Sequence, residues 1–490
     1  MRTTFSGISI ALRALQAQQV SLDITGHNVA NVNNPNFSRQ TALHSATKPY
    51  PAPMMGYTPS SGQLGTGVEI SQINRMRDSF VDLRLRQQLH NLNYWNTMQD
   101  GLKQVELFFN EPGENGIHHA LDQFWDSLQD LSREPDFFSV REVVIQRAQV
   151  LVESITATRG QLQNLRDNLN ENITFKISEV NSLAKRLADL NVQISATGSL
   201  PNDLLDARDA LLEELSQLVD IEVVQDHANM VSVAIGGSSL VHRGTSHSLM
   251  TNGVASEAEN YKKNQVFWSA TGNVVKLSSG EIAGMMRLRD QEIQQAINDL
   301  DTWTRDFALE FNRRHEEGYD FDGDGGLGLP LSFFTFDNQV PGDPPDPNFP
   351  FAAQNIRVNT EIADNVGKIR ASLIPGAVGN GENALKLARL RFEPVIEVDE
   401  ETQVTVADAF NSLISRLGVS TQKAVKMAEN EATLEAHLRN LKESHSGVSL
   451  DEEMANMIRY QHAYSAAARM MTAVDETLDT IINRLGIVGR

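Results

Sequence analysis

The sequence predicts a mainly α protein with an inserted β-rich domain, terminal α-helical coiled-coil segments, and discontinuous domains nested around the middle of the chain. Three observations lead there. Apolar residues recur at alternating steps of four and three at both ends, the spacing of a heptad seam. Long internal stretches keep a helical period, and between 219 and 277 the texture changes to short β-branched runs separated by glycine turns. A chain of 490 residues has the length of roughly three domains, with enough apolar material for real cores.

The first stripe runs through Met1, Phe5, Ile8, Leu12, Leu15, Gln19 and Leu22. It is followed at 28–40 by NVANVNNPNFSRQ, with five asparagines in nine residues. Asparagine amides compete for nearby backbone groups, so they end helices and build turns. The helix is expected to stop there, with Pro35-Asn36 forming a turn that exploits asparagine's tolerance of positive φ. Residues 41–79 read as a connector.

From Phe80 to about residue 200 the pattern is helical. Trp95, Leu102, Val105 and Phe109 share one face, and Leu121, Trp125 and Leu128 another, with Pro112-Gly113 between them. A further helix from Phe175 carries Ile177, Val180, Leu183, Leu187 and Leu190. Its partner is expected at Val406 to Leu441, through Phe410, Leu413, Leu417, Ala424 and Met427, so a helical bundle would be assembled from 80–218 and 352–447. Between these, 219–351 reads as a β-rich outer domain with a long helix at 280–317 that carries Ile293, Ile297, Leu300, Trp303, Phe307 and Phe311. The prolines of NQVPGDPPDPNFP (338–350) lack donors and make that stretch a loop.

The last stripe passes through Leu450, Met454, Met457, Gln461, Tyr464, Ala468, Met471, Asp475, Leu478, Ile482 and Leu485. Ser449 and Glu452 have capping-box spacing at its start, and a straight helix from Leu450 to Leu485 would span about 54 Å. Ile458, Ala463, Ala466, Ala467, Ala473, Val474 and Ile481 widen the apolar surface beyond one seam. The expectation is a terminal coiled-coil domain made of 1–40 and 448–490. It would lack order in a single subunit and complete its burial between neighbouring subunits.

A formal charge of -21 and a pI near 5 oppose nucleic acid or an anionic membrane as partners. Zero cysteines remove disulfides, thiolate nucleophiles and Cys-ligated zinc. The first 25 residues lack a secretory signal's apolar core, and no apolar run reaches spanning length, so any export is expected to use another route and membrane insertion is not expected. The strongest chemical temptation is Asp320-Phe321-Asp322-Gly323-Asp324-Gly325, which matches the first half of a calcium loop but has Leu331 where the bidentate glutamate belongs. A metal-dependent enzyme built on Asp320 to Asp324 is the reading from another class; a Gly-Asp turn is the simpler one. His118, His119 and His315 lack metal-ligand spacing. No cofactor, metal site or catalytic residue is expected.

The segment ALQAQQVSLDITGHNVANVNNPNFSRQ resembles the N-terminal signature of bacterial flagellar axial proteins, through Ala30-Asn31, Pro35, Phe37, Ser38 and Arg39. Asn36 stands where glycine is usual and Phe37 where tyrosine is usual. LGTGVEISQINRMRDSFVDLRLR (64–86), LLDARDALLEELSQLVDIEV (204–223), the stretch 280–325 and the terminal 450–486 are similar to the hook-associated branch of that family.

The resemblance implies a structural adapter, exported by the flagellar type III route, that assembles outside the cell at the distal end of the hook and joins it to the filament. Another axial component, a hook or rod subunit, is the alternative within the family. Implied partners are further copies in a ring-like junction layer, the hook protein and the next hook-associated junction protein. The broad apolar surface of the C-terminal helix also suits a cytoplasmic export chaperone. The residues expected at the assembly interface are Phe5, Ile8, Leu12, Leu15, Leu22, Asn28, Asn31, Pro35, Phe37, Arg39, Leu450, Met454, Met457, Tyr464, Met471, Leu478, Ile482 and Leu485.

Overall fold

The computed structural model of the chain describes residues 5–49, 64–110, 113, 116–197, 201–226, 229–256, 261–325, 331–336, 352–399 and 402–484. Leu485 and the proline-rich stretch 338–350 lie outside them. The described chain is mainly helical with a few small, separate sheets.

Helix α1 (Ser6–Ala30) leads into the antiparallel strands β1 (Gln40–Ala46) and β2 (Val68–Arg75), so the expected connector contains a strand pair. Helices α2 (Ser79–Phe109), α3 (Ile117–Arg133), α4 (Phe138–Ala196) and α5 (Asn202–Leu218) follow. Local chemistry sets these boundaries. Asp78 caps α2 by accepting from the Phe80 amide, and Asn110 closes it in the left-handed region at φ 49. The helix expected from Phe175 is the second half of α4, whose 59 residues extend about 88 Å at the standard rise. The apolar period simply runs on from Val144 and Leu151 through Ile173 to Leu187 and Ile194, all buried.

Strands β3 (Glu222–Gln225), β4 (Val231–Ile235), β5 (Ser238–His242) and β6 (Thr245–Ser246) form one antiparallel sheet in chain order, and β7 (Leu249–Ser256) pairs with β8 (Tyr261–Trp268). Val231, Val233 and Ile235 alternate inward along β4, as a one-sided sheet requires. Helix α6 (Glu281–Arg287), a π turn (Leu288–Glu292) and α7 (Ile293–Glu316) come next. Gly101 on α2 faces this turn: a Cβ there would overlap the Leu288 side chain, so the close approach needs glycine.

Short elements fill the remainder: β9 (Phe334–Phe336), α8 (Ala352–Asn355), β10 (Ile356–Val358), α9 (Thr360–Asp364), α10 (Glu382–Arg389), β11 (Ile396–Asp399) and β12 (Thr402–Val404). The chain then closes with α11 (Val406–Ser446), whose Thr405 cap accepts from the Asp408 amide, and α12 (Leu450–Asp479).

One continuous apolar core joins α2, α3, α4, α7 and α11 to the strands. Val233, Leu240, Val241, Val266 and Trp268 belong to the same cluster as Phe124, Leu151 and Phe410. The expected outer domain over 219–351 is therefore corrected: its strands and long helix share the body's core. Small sheets with a single apolar face need a cover, and α4 supplies it.

The densest part of the core is aromatic. Phe124, Trp125, Phe307, Phe311, Phe333 and Phe334 lie with centroids 4.9 to 6.2 Å apart. Trp303 ties this cluster to α11 by donating from Nε1 to the Val406 carbonyl at 2.9 Å. Replacing fully buried Phe311 by alanine should cost about 3–5 kcal/mol of stability, read as a lower denaturant midpoint.

His315 is fully buried against Phe333. Its Nδ1 donates to the Leu331 carbonyl at 3.0 Å, and Nε2 accepts from the Arg370 amide at 3.1 Å. Burial, with Arg370 nearby, pushes its pKa down from 6.5 to about 3. A folded-state value below the unfolded one stabilises fully above pH 6.5, and that contribution is lost as pH falls from there towards 3. Denaturant titrations of the parent and His315→Gln across this window should show the parent's advantage shrinking as the solution is acidified. A constant difference would contradict the assignment.

Candidate assembly surface and its joint to the body

The terminal helices α1 and α12 pack antiparallel: Gly7 meets Val474 at one end, and Asn28 meets Glu453 at the other. The seam is made of small residues. Ala11, Ala17, Ser21, Ile24, Thr25 and Asn28 are the buried positions of α1, and Glu453, Ala467 and Leu478 those of α12. A Cβ added at Gly7 would sit 3.2 Å from Val474, closer than ordinary contact. Ser21 and Thr25 turn their hydroxyls back to the Ala17 and Ser21 carbonyls at 2.9 Å, so these two hydroxyls are satisfied within α1 and the helices can approach closely.

The two terminal helices lie against each other within one chain. The large apolar stripe, expected to be buried between subunits, is not the seam between them: Phe5 is 59% exposed, Leu12 47%, Met454 58% and Ile482 69%. Leu450 and Tyr464 are exposed too, while Ile8, Leu15, Leu22, Met457 and Met471 are half-buried. Of the stripe's described apolar residues, Leu478 alone is buried. The helix separation is set by the side chains at the contact. Here glycine, alanine and serine win that position, which turns the bulky row outward.

The asparagine-rich turn forms the joint between this pair and the body. Asn28 is 1% exposed. Its Nδ2 donates to the Gln40 carbonyl at 2.9 Å and to Glu453 Oε2 at 3.0 Å, while Oδ1 accepts from the Gln40 amide at 3.0 Å. Arg39 grips the start of α12, with Nε at 2.8 Å from Glu453 and Nη1 at 2.6 Å from Glu452. Its amide donates to the Ser446 carbonyl at 2.9 Å. Ser449 is thus the N-cap residue without a side-chain cap bond; the expected capping box does not form because Arg39 holds Glu452.

Asn31 caps α1 by donating to the His27 carbonyl at 3.0 Å, and Phe37 lies edge-on to His27 with centroids 5.2 Å apart. Pro35 is exposed. Asn36 does not adopt positive φ, unlike Asn110, Asn229 and Arg243; the turn is made by the Asn34 side chain, which accepts from the Asn36 amide at 3.1 Å. Asn28, Asn31, Phe37 and Arg39 thus make contacts within the chain, where their expected place was between subunits.

The joint continues into α5. Asp206 accepts from the Ser38 amide at 3.0 Å and its hydroxyl at 2.7 Å, and from Arg75 at 2.7 Å. Arg77 reaches Asp82, Asp209 and Glu213, and Lys442 on α11 returns to Glu213 at 2.6 Å. Burial would raise Asp209, but Arg77, Arg208 and Arg75 outweigh it and hold its pKa below the usual carboxylate range. Against the same burial cost, Asp209, Asp82 and Glu213 hold Arg77 above the usual guanidinium value. Sequence reasoning missed Glu453, Asp206 and Ser38 as joint residues. Glu453 carried one available signal, an acid sitting on the otherwise small face of α12.

Asp320 behaves as a turn residue: its Oδ1 accepts from the Asp322 amide at 3.1 Å and the Asp324 amide at 2.8 Å.

Three family models match the chain. The flagellar hook-associated protein FlgK helical domain covers residues 102–331, the flagella basal body rod protein model 8–37, and the flagellar basal body rod FlgEFG protein C-terminal model 443–485. The last two fall on α1 with its turn and on α12. The chain is 34% identical to flagellar hook-associated protein 1 of Bacillus subtilis (strain 168), with all of both chains covered. It is 26% identical to the protein of the same name in Salmonella typhimurium, covering 97% of this chain and 99% of that one. The structure of the flagellar hook junction protein FlgK from Burkholderia pseudomallei superposes with a TM-score of 0.61 at 16% identity, over 75% of this chain and 100% of that one, which shows a shared fold.

Glu453→Ala would take an acceptor from the buried Asn28 amide and leave Arg39 to Glu452 alone, a loss of about 1–3 kcal/mol for an unsatisfied buried group. Hydrogen exchange should report it as faster exchange at the Gln40 amide, with the aromatic core unchanged.

Proposed function

The chain belongs to the flagellar hook-associated protein 1 family, and from that premise we propose how it serves as the structural adapter that joins hook to filament. The chain is a structural component of the flagellum. The relatives' shared name favours this junction role over that of a hook or rod subunit and over the metal-dependent enzyme. Its finer mechanism rests on one observation: the terminal helices close on each other through small residues and leave a bulky apolar row facing out.

Phe5, Leu12, Leu450, Met454, Tyr464 and Ile482 are the side chains this row offers to neighbouring copies. Each is worth about 1.5–3 kcal/mol if fully buried, and a ring-like layer of copies would bury them together. In that layer the helix pairs wind as a coiled coil, with the body nested outside. The hook protein lies on one side of the layer and the next hook-associated junction protein on the other. A monomer lacks these neighbours and stays soluble. The joint at Asn28, Arg39 and Glu453 fixes the direction in which each body leaves the layer. Before assembly, the chain travels by the flagellar export route, and a cytoplasmic chaperone covers the apolar face of α12.

Leu12→Asp and Met454→Asp should leave the melting of the isolated subunit within about 1 kcal/mol of the parent, as expected for exposed positions, yet prevent its incorporation at isolated hooks. Leu478→Asp should instead break the helix pair itself. Normal incorporation of the first two variants would reject the outward-seam mechanism. Removal of residues 450–490 should abolish chaperone binding, and retained binding would reject that part.

A further inference from the structure

Four helix-borne asparagines make the same contact. Asn28 on α1, Asn181 and Asn191 on α4 and Asn312 on α7 each take both backbone groups of one strand residue. Asn191 Nδ2 donates to the Val231 carbonyl at 2.8 Å, while its Oδ1 accepts from the Val231 amide at 3.0 Å. Asn181 holds Leu249 at 2.8 Å through both bonds, and Asn312 holds Phe334 at 2.7 and 2.8 Å. The bonds of Asn28 to Gln40 at the joint have this form too. In every case the residue held is the first of its strand: Val231 of β4, Leu249 of β7, Phe334 of β9 and Gln40 of β1.

In a strand, the N–H and C=O of one residue point to the same edge, and a side-chain amide offers a donor and an acceptor side by side. The asparagine therefore stands where a neighbouring strand would be. Helix α4 repeats the contact along its length. Asn170 accepts from the Asn264 amide of β8 at 2.7 Å, and Arg289 of the π turn donates to the Asn264 carbonyl at 2.8 Å. Asn170, Asn181 and Asn191 are eleven and ten residues apart. Those spacings are close to three helical turns, so the amides fall along one side of α4 at intervals of about 15–17 Å. They meet β8, β7 and β4 in that order, so the chain beyond α5 runs back along α4.

Apolar cover by itself does not set such positions. It is non-directional, and a strand that slides by two residues keeps the same face inward. A two-point bond to one residue removes that freedom. We infer that these asparagines are positioning residues, each fixing where one strand starts on the helix behind it, and that α4 is the template on which the strands between Val231 and Trp268 are placed. Asn191 and Asn312 are fully buried, so their amides serve the strands and not solvent. The hold of Asn28 at the joint is one case of a device used across the body.

The test is native-state hydrogen exchange on the full chain, which reports opening strand by strand. Asn191→Leu and Asn181→Leu keep a side chain of similar size and lose the amide. Asn191 also donates to the Arg243 carbonyl, just past β5, at 2.7 Å. Asn191→Leu should therefore speed exchange in β4 and β5 by roughly tenfold or more, as for a lost buried hydrogen bond, and leave β7 and β8 as in the parent. Asn181→Leu should do the reverse.

Asn191→Gln carries the same amide one methylene further out. It should also loosen β4 and β5, because the hold depends on reach as well as on polarity, and it decides the question if the leucine variant does not fold. Asn298→Ala, at an exposed position of α7, should change no strand. Three results would overturn the inference. Unchanged strands in the two leucine variants would assign their placement to apolar cover alone. Loosening of all strands alike in either variant would make the asparagines general stabilisers. Parent-like exchange in Asn191→Gln would remove the geometric requirement.

Discussion

The buried carboxylate of Glu453 is the contact on which the rest of this architecture depends. An ionised group in that position is costly unless it is paired and hydrogen-bonded, and two residues from the opposite end of the chain meet the need. Asn28 donates from the last turns of α1, and Arg39 from the turn that follows. One side chain thereby brings residues more than four hundred positions apart into register, fixes where α12 starts, and sets where β1 begins through the bond of Asn28 to Gln40. The hydrogen bonds of Ser38 and the ion pairs of Arg75 and Arg77 with α5 carry that register into the body.

Once the register is fixed, the seam follows. Gly7 opposes Val474, and the small side chains of α1 allow the two helices to approach closely. The bulky apolar row has no room there and turns outward. The same packing therefore does two things at once: it closes the subunit on itself and prepares a surface that only other helices can cover. The intrachain pair is held by small contacts and by a polar joint, so hydrophobic burial by the large side chains remains available for assembly.

The sequence made the helical faces of the body legible, because period and burial coincide: Leu102, Val105, Phe109, Leu121, Trp125, Phe307, Phe311, Phe410 and Leu413 all lie in the core. It also located the strands within 219–277 through their β-branched runs, but not the β1–β2 pair inside the expected connector. It could not say that these strands share the helices' core, since α4's cover is a tertiary fact with no local signature. At the termini, the heptad pattern groups the bulky residues on one face, but periodicity reports only which residues share a face, and packing alone decides that the small face meets the partner helix within the chain. The asparagines were read correctly as a helix end. Their buried hydrogen bonds depend on Glu453 and Gln40, which the turn's own sequence does not name. Asn36 shows the limit of propensity, because the Asn34 side chain makes the turn without a positive φ.

The central claim is that the small face of the terminal helices serves the chain itself and the bulky face serves its neighbours. Since the chain has zero cysteines, disulfide trapping can test it on a silent background. Two proteins are compared in isolated form and in assembled junctions: the double variant Gly7→Cys with Val474→Cys, and the single variant Leu12→Cys. The account predicts that the double variant closes within one chain in both states, and that Leu12→Cys links two chains only after assembly. If the double variant links different chains, or if Leu12→Cys fails to link in assembled junctions, the two faces have been assigned the wrong way round.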